Sequence, residues 1–264
     1  MQQLIERRRK EIATLSRSKG RAKLGQMLVE GWRSVQSALD AGAPVTEILV
    51  TPKMLEQAEV KAVLESTARR MGFPVYRIAE KEAQRISTTA SDQGILAVVR
   101  ITVEPVEALK DKASIVALDG VQDPGNVGTI IRTAAWFGID GIVGSQETAD
   151  FFNPKVVRAS MGGLWDVALT RVPDLPAVLQ PLKNNGMQLV AADLNGTPLH
   201  TWSPESPVVL VIGGEANGLS PEVKSLVDVS VTIDGGHGKG VESLNAGIAA
   251  GIIMQHWKGN RRKL

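Results

Sequence analysis

Along the first hundred residues the apolar positions switch repeatedly between two periods. Met27–Glu30, Glu47–Thr51, Val75–Ile78 and Gly94–Ile101 are short apolar or β-branched runs that predict strands. Between them Gly31–Ala41, Met54–Met71 and Glu80–Ile86 carry apolar residues at helical spacing, and a basic helix is predicted to about Leu15. That alternation predicts a small α/β unit. The segment Thr102–Ala113 (TVEPVEALKDKA) breaks the pattern with proline and charge and reads as a connection. The expected organisation is an N-terminal domain over residues 1–103, a linker over 104–113 and a second domain over 114–264.

In the second domain the predicted strands are Ile115–Leu118, Gly141–Val143, Gln188–Ala191, Val208–Ile212 and Val229–Ile233. They are apolar on both faces, which predicts a parallel sheet with helices on both sides. The helical stretches include Val127–Phe137, Pro176–Asn184 and Leu244–Trp257. Glycine concentrates after the later strands, in GGEANG and GGHGKG, and open α/β sheets bind ligands at those carboxyl ends.

The 264 residues, 43% hydrophobic and 22% charged, suffice for two modest cores. With no 18-residue apolar run, and charges where a secretory signal needs apolar residues, a cytoplasmic protein without membrane contact is expected. Cysteine is absent, and His200, His237 and His256 have no metal-ligand spacing, so no metal is expected. The net charge of +2 says little by itself, but eight basic residues fall between Arg7 and Lys23 against the lone Glu11. Lys258, Arg261, Arg262 and Lys263 make the other end basic. Such runs are either solvated helix faces or phosphate footprints. The functional reading nominates Arg7, Arg8, Arg9, Arg17, Lys19, Arg21 and Lys23 as RNA contacts. Low aromatic content (4%) disfavours recognition by base stacking.

Three stretches carry candidate chemistry. In Val121–Ile142, Asp123-Pro124-Gly125 turns after a strand, Asn126 is suited to cap a helix, and Arg132 lies one turn beyond Gly128. In Val208–Val223 a buried strand runs into Gly213-Gly214-Glu215, and Ser220-Pro221 is a helix opening. In Gly235–Ile253, Ser243 can cap a helix whose Ala246, Gly247, Ala249, Ala250 and Gly251 permit close packing. Each alone reads more readily as ordinary helix and turn construction. None matches a dinucleotide or P-loop fingerprint, which argues against a nucleotide-dependent oxidoreductase.

Taken in this order, N-x-G-x-x-x-R with its DP-x-N-x-G lead-in, G-G-E-x-x-G-L-S and S-L-N resemble the SpoU (TrmH) family of RNA ribose 2′-O-methyltransferases in the SPOUT superfamily, over about residues 114–258. The N-terminal hundred residues resemble that family's L30e-like substrate-binding domain through Lys19-Gly20-Arg21 and Met27-Leu28-Val29-Glu30-Gly31. The resemblance implies S-adenosyl-L-methionine as cofactor, a deep trefoil knot in the C-terminal domain, and a homodimer through that domain. It implies cofactor contacts at Ile212, Gly213, Gly214, Ile233, Ser243 and Leu244, and a catalytic set of Arg132, Asn126, Glu215, Ser243 and Asn245. Arg132 is the residue the family assigns to activate the hydroxyl, but a guanidinium almost never gives up its proton, so stabilising the forming alkoxide and gripping a phosphate fits its chemistry better. Ribosomal RNA, 23S in particular, is favoured over transfer RNA. The alternatives are a transfer-RNA ribose methyltransferase and a non-catalytic RNA-binding protein on the same fold. Two departures from the family pattern, Ile233-Asp234-Gly235-Gly236-His237 and Ala246-Gly247 after Asn245, leave Asp234 facing either cofactor or solvent.

Overall fold

The computed structural model describes residues 2–89, 93–204, 207–235, 240 and 243–259. The chain divides into two compact units, Met1–Thr102 with Phe152–Trp165, and Val103–Phe151 with Asp166–Leu264.

In the first unit β1 (Gln2–Gln3), β2 (Gln26–Glu30), β3 (Val45–Val50), β4 (Val75–Arg77) and β5 (Ile95–Arg100) form one sheet in the order β1-β4-β3-β5-β2. The sheet is mixed: β5 runs antiparallel to β2 and β3, whereas β4 is parallel to β3 and β1. Helices α1 (Glu6–Ala13), α2 (Ser18–Leu24), α3 (Trp32–Asp40), α4 (Pro52–Leu55), α5 (Ala58–Met71) and α6 (Glu80–Ile86) connect or flank the strands. A core of Ile12, Leu15, Leu28, Leu49, Ile86, Leu96 and Val98 joins α1 and α6 to the sheet, each such side chain contributing about 1.5–3 kcal/mol by burial. The single helix expected over Met54–Met71 is two, because the Thr51 hydroxyl and Pro52 open a one-turn helix that ends before Ala58.

The second unit holds β6 (Ser114–Asp119), α7 (Pro124–Phe137), β7 (Gly141–Gly144), β8 (Ala168–Arg171), α9 (Leu175–Asn184), β9 (Gln188–Pro198), β10 (Val208–Gly213), α10 (Pro221–Leu226), β11 (Val229–Thr232) and α11 (Ala246–Gly259), while α8 (Pro154–Ser160), between β7 and β8, groups with the first unit. All pairings in its six-stranded sheet are parallel, in the order β11-β9-β10-β6-β7-β8. Ile115, Ala117, Leu189, Val209 and Val211 project to one face, where Leu179 and Leu182 of α9 and Val223 of α10 cover them. Alternate strand residues project to the opposite face, and Val116, Leu118, Val208 and Leu210 are as deeply buried. α11 lies against β9 and β10 and packs along α7.

The domain boundary read from the sequence differs from this division in two places. Leu109, inside the expected linker, is fully buried in the second unit's core. Phe152–Trp165 groups with the first unit, where Arg158 reaches the Glu30 carboxylate at 3.4 Å and the Thr88 hydroxyl at 2.6 Å. Glu30 is buried and also accepts from the Ser87 hydroxyl at 2.7 Å, so the pair satisfies a carboxylate that burial would otherwise penalise. The sequence holds no long-range pattern that announces such a pairing.

Candidate active site

The order of the strands places a switch point in the second unit. From β6 the chain leaves through α7 to β7 on one side, while β10 and β9 lie on the other, and in such sheets ligands occupy the crevice beyond the carboxyl ends of the strands. A cleft of about 500 Å³ lies there, lined among others by Asp119, Asp123, Asn126, Glu147, Glu215 and Ser220.

Local capping decides which side chains face one another. Asn126, read from the sequence as a helix cap, is not one: α7 starts two residues earlier at Pro124, and Asp123 caps it by accepting the Asn126 N–H at 2.9 Å. That frees the Asn126 amide, which donates from Nδ2 to Glu215 and accepts at Oδ1 from Asn245 Nδ2 at 2.8 Å. Asn245, not Ser243, caps α11, its Oδ1 accepting from the Gly247 and Ile248 N–H groups at 3.0 and 3.2 Å. The result is a hydrogen-bond chain with one direction, from the α11 N-terminus through Asn245 and Asn126 to Glu215. Both amide orientations follow from it, since each oxygen accepts and each nitrogen donates. The chain ends on an exposed carboxylate.

The loop carrying Glu215 is folded tightly on itself. Gly214 and Gly218 exchange backbone hydrogen bonds at 3.1 and 2.9 Å, and the Gly214 N–H also reaches the Asp119 carbonyl at 2.9 Å. A Cβ on Gly213 would strike the Gly218 backbone, and one on Gly214 the Gly120 carbonyl. These glycines are therefore required by the loop's own packing, and the Gly214 N–H is spent on the Asp119 and Gly218 carbonyls.

The remaining sequence-nominated residues divide. Arg132 stands exposed on α7, outside the residues lining the cleft, and has no ion-pair partner among the described residues. Ser243 and Leu244 are exposed beside Asn245, Leu244 at 47%, while Ile233 is half-buried and Ile212 buried. Asp234 faces the His200 imidazole, with Oδ2 at 3.1 Å from Nδ1. His237, Arg261, Arg262 and Lys263 lie outside the described residues. Asp119, which no motif singled out, holds Ser220 through both its N–H and its hydroxyl. Its only sequence signal is an acidic residue ending a buried strand.

Residues 113–255 match the model of the SpoU rRNA Methylase family, more than half of the chain, and residues 7–97 match the MRM3-like substrate binding domain. The chain belongs to the SpoU rRNA methylase family. It is 31% identical to the 23S rRNA (guanosine(2553)-2′-O)-methyltransferase RlmP of Bacillus subtilis over 95% of both chains. Among solved structures it superimposes on the AdoMet-bound rRNA methyltransferase from Sinorhizobium meliloti (TM-score 0.84, 29% identity, covering 100% of this chain and 98% of that one). It also superimposes on the SpoU methyltransferase AviRb from Streptomyces viridochromogenes in complex with AdoMet (TM-score 0.85, 27% identity, 98% and 99%). The hydrogen-bond chain and the Gly213–Ser220 loop both fall inside the segment matching the SpoU family.

The basic residues nominated as RNA contacts all lie within the stretch matching the substrate-binding domain, and they separate sharply. Arg8 is bonded to the buried Glu47, to Glu11 at 3.1 Å and to Gln26 at 2.8 Å. Burial opposes its charge, but the bonds and charges of Glu47 and Glu11 outweigh that and raise its pKa. Arg9 pairs with Glu6 and Glu82 at 3.1 and 2.8 Å. Arg21 is a correction, since it is 3% exposed and donates to the Leu15 carbonyl at 2.9 Å, and so offers no surface to a phosphate. Arg17, Lys19 and Lys23 are exposed, as is Arg7, which has only a surface pairing with Glu11 at 3.2 Å.

Proposed function

We propose that this protein transfers the methyl group of S-adenosyl-L-methionine to a ribose 2′-hydroxyl in structured RNA, with 23S ribosomal RNA favoured over transfer RNA. The observation that carries the reading is the directed chain from Asn245 through Asn126 to Glu215 at the switch-point cleft, inside the segment that matches the SpoU family. Ribosomal RNA is favoured by the substrate-binding-domain match over residues 7–97 and by near full-length similarity to RlmP.

The cofactor, when bound, supplies a methyl group on a sulfonium, an electrophile needing no metal. Of the nominated contacts, Ile233 and Leu244 offer apolar surface for an adenine, Leu244 being the more exposed, while Ile212 is buried and can contribute only through its backbone. Gly213 and Gly214 contribute by shaping the loop. Glu215 uses one oxygen for Asn126 and keeps the other for a ribose hydroxyl, which it holds as acceptor. Arg132, without an ion-pair partner among the described residues, supplies a planar charged fork for an RNA phosphate or the forming alkoxide. Ser243 offers a hydroxyl next to Leu244. Arg7, Arg17, Lys19 and Lys23 serve as the phosphate contacts of the N-terminal domain.

The protein acts as a homodimer through its C-terminal domain. Supporting this, Trp136 on α7 is 81% exposed, and Ile248 and Ile252, one turn apart on α11, the helix that packs along α7, are exposed as well. Large apolar side chains so placed favour a partner surface. The trefoil knot is part of the same reading. No helix among the described residues is long and apolar enough to cross a membrane, and a cytoplasmic location is proposed.

The test compares ribosomal and transfer RNA from a deletion strain and its parent by alkaline hydrolysis, because a 2′-O-methyl group blocks cleavage at its own linkage. The reading expects one protected ribose in 23S RNA to disappear on deletion. Identical patterns in all RNAs would overturn it.

A further inference from the structure

Asp119 ends β6 in register with Gly213 on β10, and two different parts of it hold the two ends of the loop that follows. Its backbone carbonyl accepts the Gly214 N–H at 2.9 Å. Its carboxylate oxygen Oδ2 accepts both the Ser220 N–H at 2.7 Å and the Ser220 hydroxyl at 2.8 Å. The same hydroxyl oxygen caps α10 by accepting the Val223 N–H at 3.4 Å. Asp119 is 8% exposed, so these are largely desolvated bonds to a charge, the strong kind. Between the two anchor points the Gly214–Gly218 bonds leave the loop little freedom, and Glu215 is the carboxylate it carries towards Asn126.

We propose that Asp119 is a positioning residue for the methyl transfer: it latches Ser220 so that the loop presents Glu215 to Asn126 in the geometry the site uses. The inference rests on the methyltransferase reading given above. Asp119 itself touches neither Asn126 nor Glu215 and acts through the loop. Two donors on a single oxygen make a latch that an amide oxygen can reproduce and a methyl group cannot. Asp119→Asn therefore keeps the function, whereas Asp119→Ala loses it. The Ser220→Ala variant drops the hydroxyl donor and the α10 cap but keeps the backbone bond, and falls between.

The experiment measures single-turnover transfer from labelled S-adenosylmethionine to 23S RNA isolated from the deletion strain, alongside the 15N–1H NMR resonances of the Asn126 side-chain amide in the protein without RNA. Losing bonds to a buried charge gives a drop of about tenfold or more for Asp119→Ala. Asp119→Asn stays within about twofold of wild type, a difference smaller than one such bond. In the Glu215→Ala background Asp119→Ala adds little, because the two act on the same contact. The Asn126 amide resonances in Asp119→Ala move to their positions in Glu215→Ala and remain at wild-type positions in Asp119→Asn.

The inference is overturned if Asp119→Asn is as impaired as Asp119→Ala, if the Asp119→Ala and Glu215→Ala losses multiply, or if the Asn126 resonances ignore Asp119. Should Asp119→Ala not fold, Ser220→Ala carries the same double-mutant and NMR comparison. A wild-type protein that transfers no methyl group contradicts the functional reading, while the resonances still decide whether Asp119 governs the Asn126–Glu215 contact.

Discussion

Arg8 and Arg9 on α1 are held by Glu47, Glu11, Glu6 and Glu82, whereas Arg132 on α7 stands exposed with no ion-pair partner among the described residues. In composition the first region is the one rich in positive charge, and the second contributes a single arginine after a run of apolar residues. Once folded, the charges of Arg8 and Arg9 are neutralised locally, whereas Arg132 meets no such carboxylate among the described residues. A charge counted in sequence is not a charge offered to a ligand, because a carboxylate brought in by the fold can consume it.

The largest effect that would break the comparison is at Arg132. Arg132→Ala should reduce methyl transfer by about a hundredfold or more, the scale for removing a donor aimed at developing negative charge, with little change in melting temperature since the residue is exposed. Arg132→Lys should fail nearly as badly, because a point charge does not reproduce the planar fork. Retained turnover in the lysine variant would remove Arg132 from the centre of the mechanism.

On the opposite side, Arg8→Ala should act on stability. It leaves the carboxylate of Glu47 buried without its partner, at a cost of about 1–3 kcal/mol, read as a lower denaturation midpoint. RNA affinity at fixed salt should change little. An unchanged midpoint with weakened RNA binding would return Arg8 to the set of phosphate contacts.

Packing provides an intermediate case. Gly247 of α11 faces Thr129 of α7, where an added Cβ would lie 3.2 Å from the threonine methyl, and Gly251 faces Thr133 in the same way one turn on. Gly247→Leu should separate the two helices, costing about 1–3 kcal/mol and weakening cofactor binding, dimerisation or both, as followed by calorimetry and sedimentation. Normal binding and a native dimer would show that this helix pair tolerates separation.

The exposed basic residues set a smaller and more specific effect. Replacing Arg17, Lys19 or Lys23 by Ala should each reduce the slope of log K against log salt by about 0.7–0.9 for a true phosphate contact, while the buried Arg21 should not alter it. Smallest is a pH effect. Arg8, and with it Arg7, holds the half-buried Glu11 carboxylate below its ordinary range. A depressed carboxylate contributes stability that is present above its unfolded pKa and lost as pH falls through the folded one. Glu11→Gln should therefore flatten the acid limb of the stability profile slightly below about pH 4.

Much of the second unit was legible because its parallel strands are apolar on both faces and its turns carry proline and glycine. The strand expected over Val208–Ile212 is β10 with one further residue, and Val127–Phe137 falls within α7. The two helix caps were misassigned for a local reason: Asp123 and Asn126 are both capping residues three positions apart, as are Asn245 and Ser243 two apart, and composition does not rank them. Only the fold, by seating Pro124 at the first helical position, shows which one is left to work in the cleft. α8 and β8 were not foreseen, since Phe151–Arg171 mixes short apolar pairs with glycine and charge and favours neither period. The ion pairs that consume Arg8 and Arg158 join residues 39 and 128 positions apart, beyond the reach of any sequence window.

The central claim, that the Asn245–Asn126–Glu215 chain and Arg132 together serve ribose methylation, is tested most directly by reconstitution. Purified protein and S-adenosylmethionine are incubated with 23S RNA from the deletion strain, and the product is digested and read for 2′-O-methylated nucleosides by mass spectrometry. The account predicts one 2′-O-methylated nucleoside with the wild-type protein and none above background with Arg132→Ala or Asn126→Ala. A methyl group found on a base, or equal ribose methylation by wild type and both variants, would contradict it.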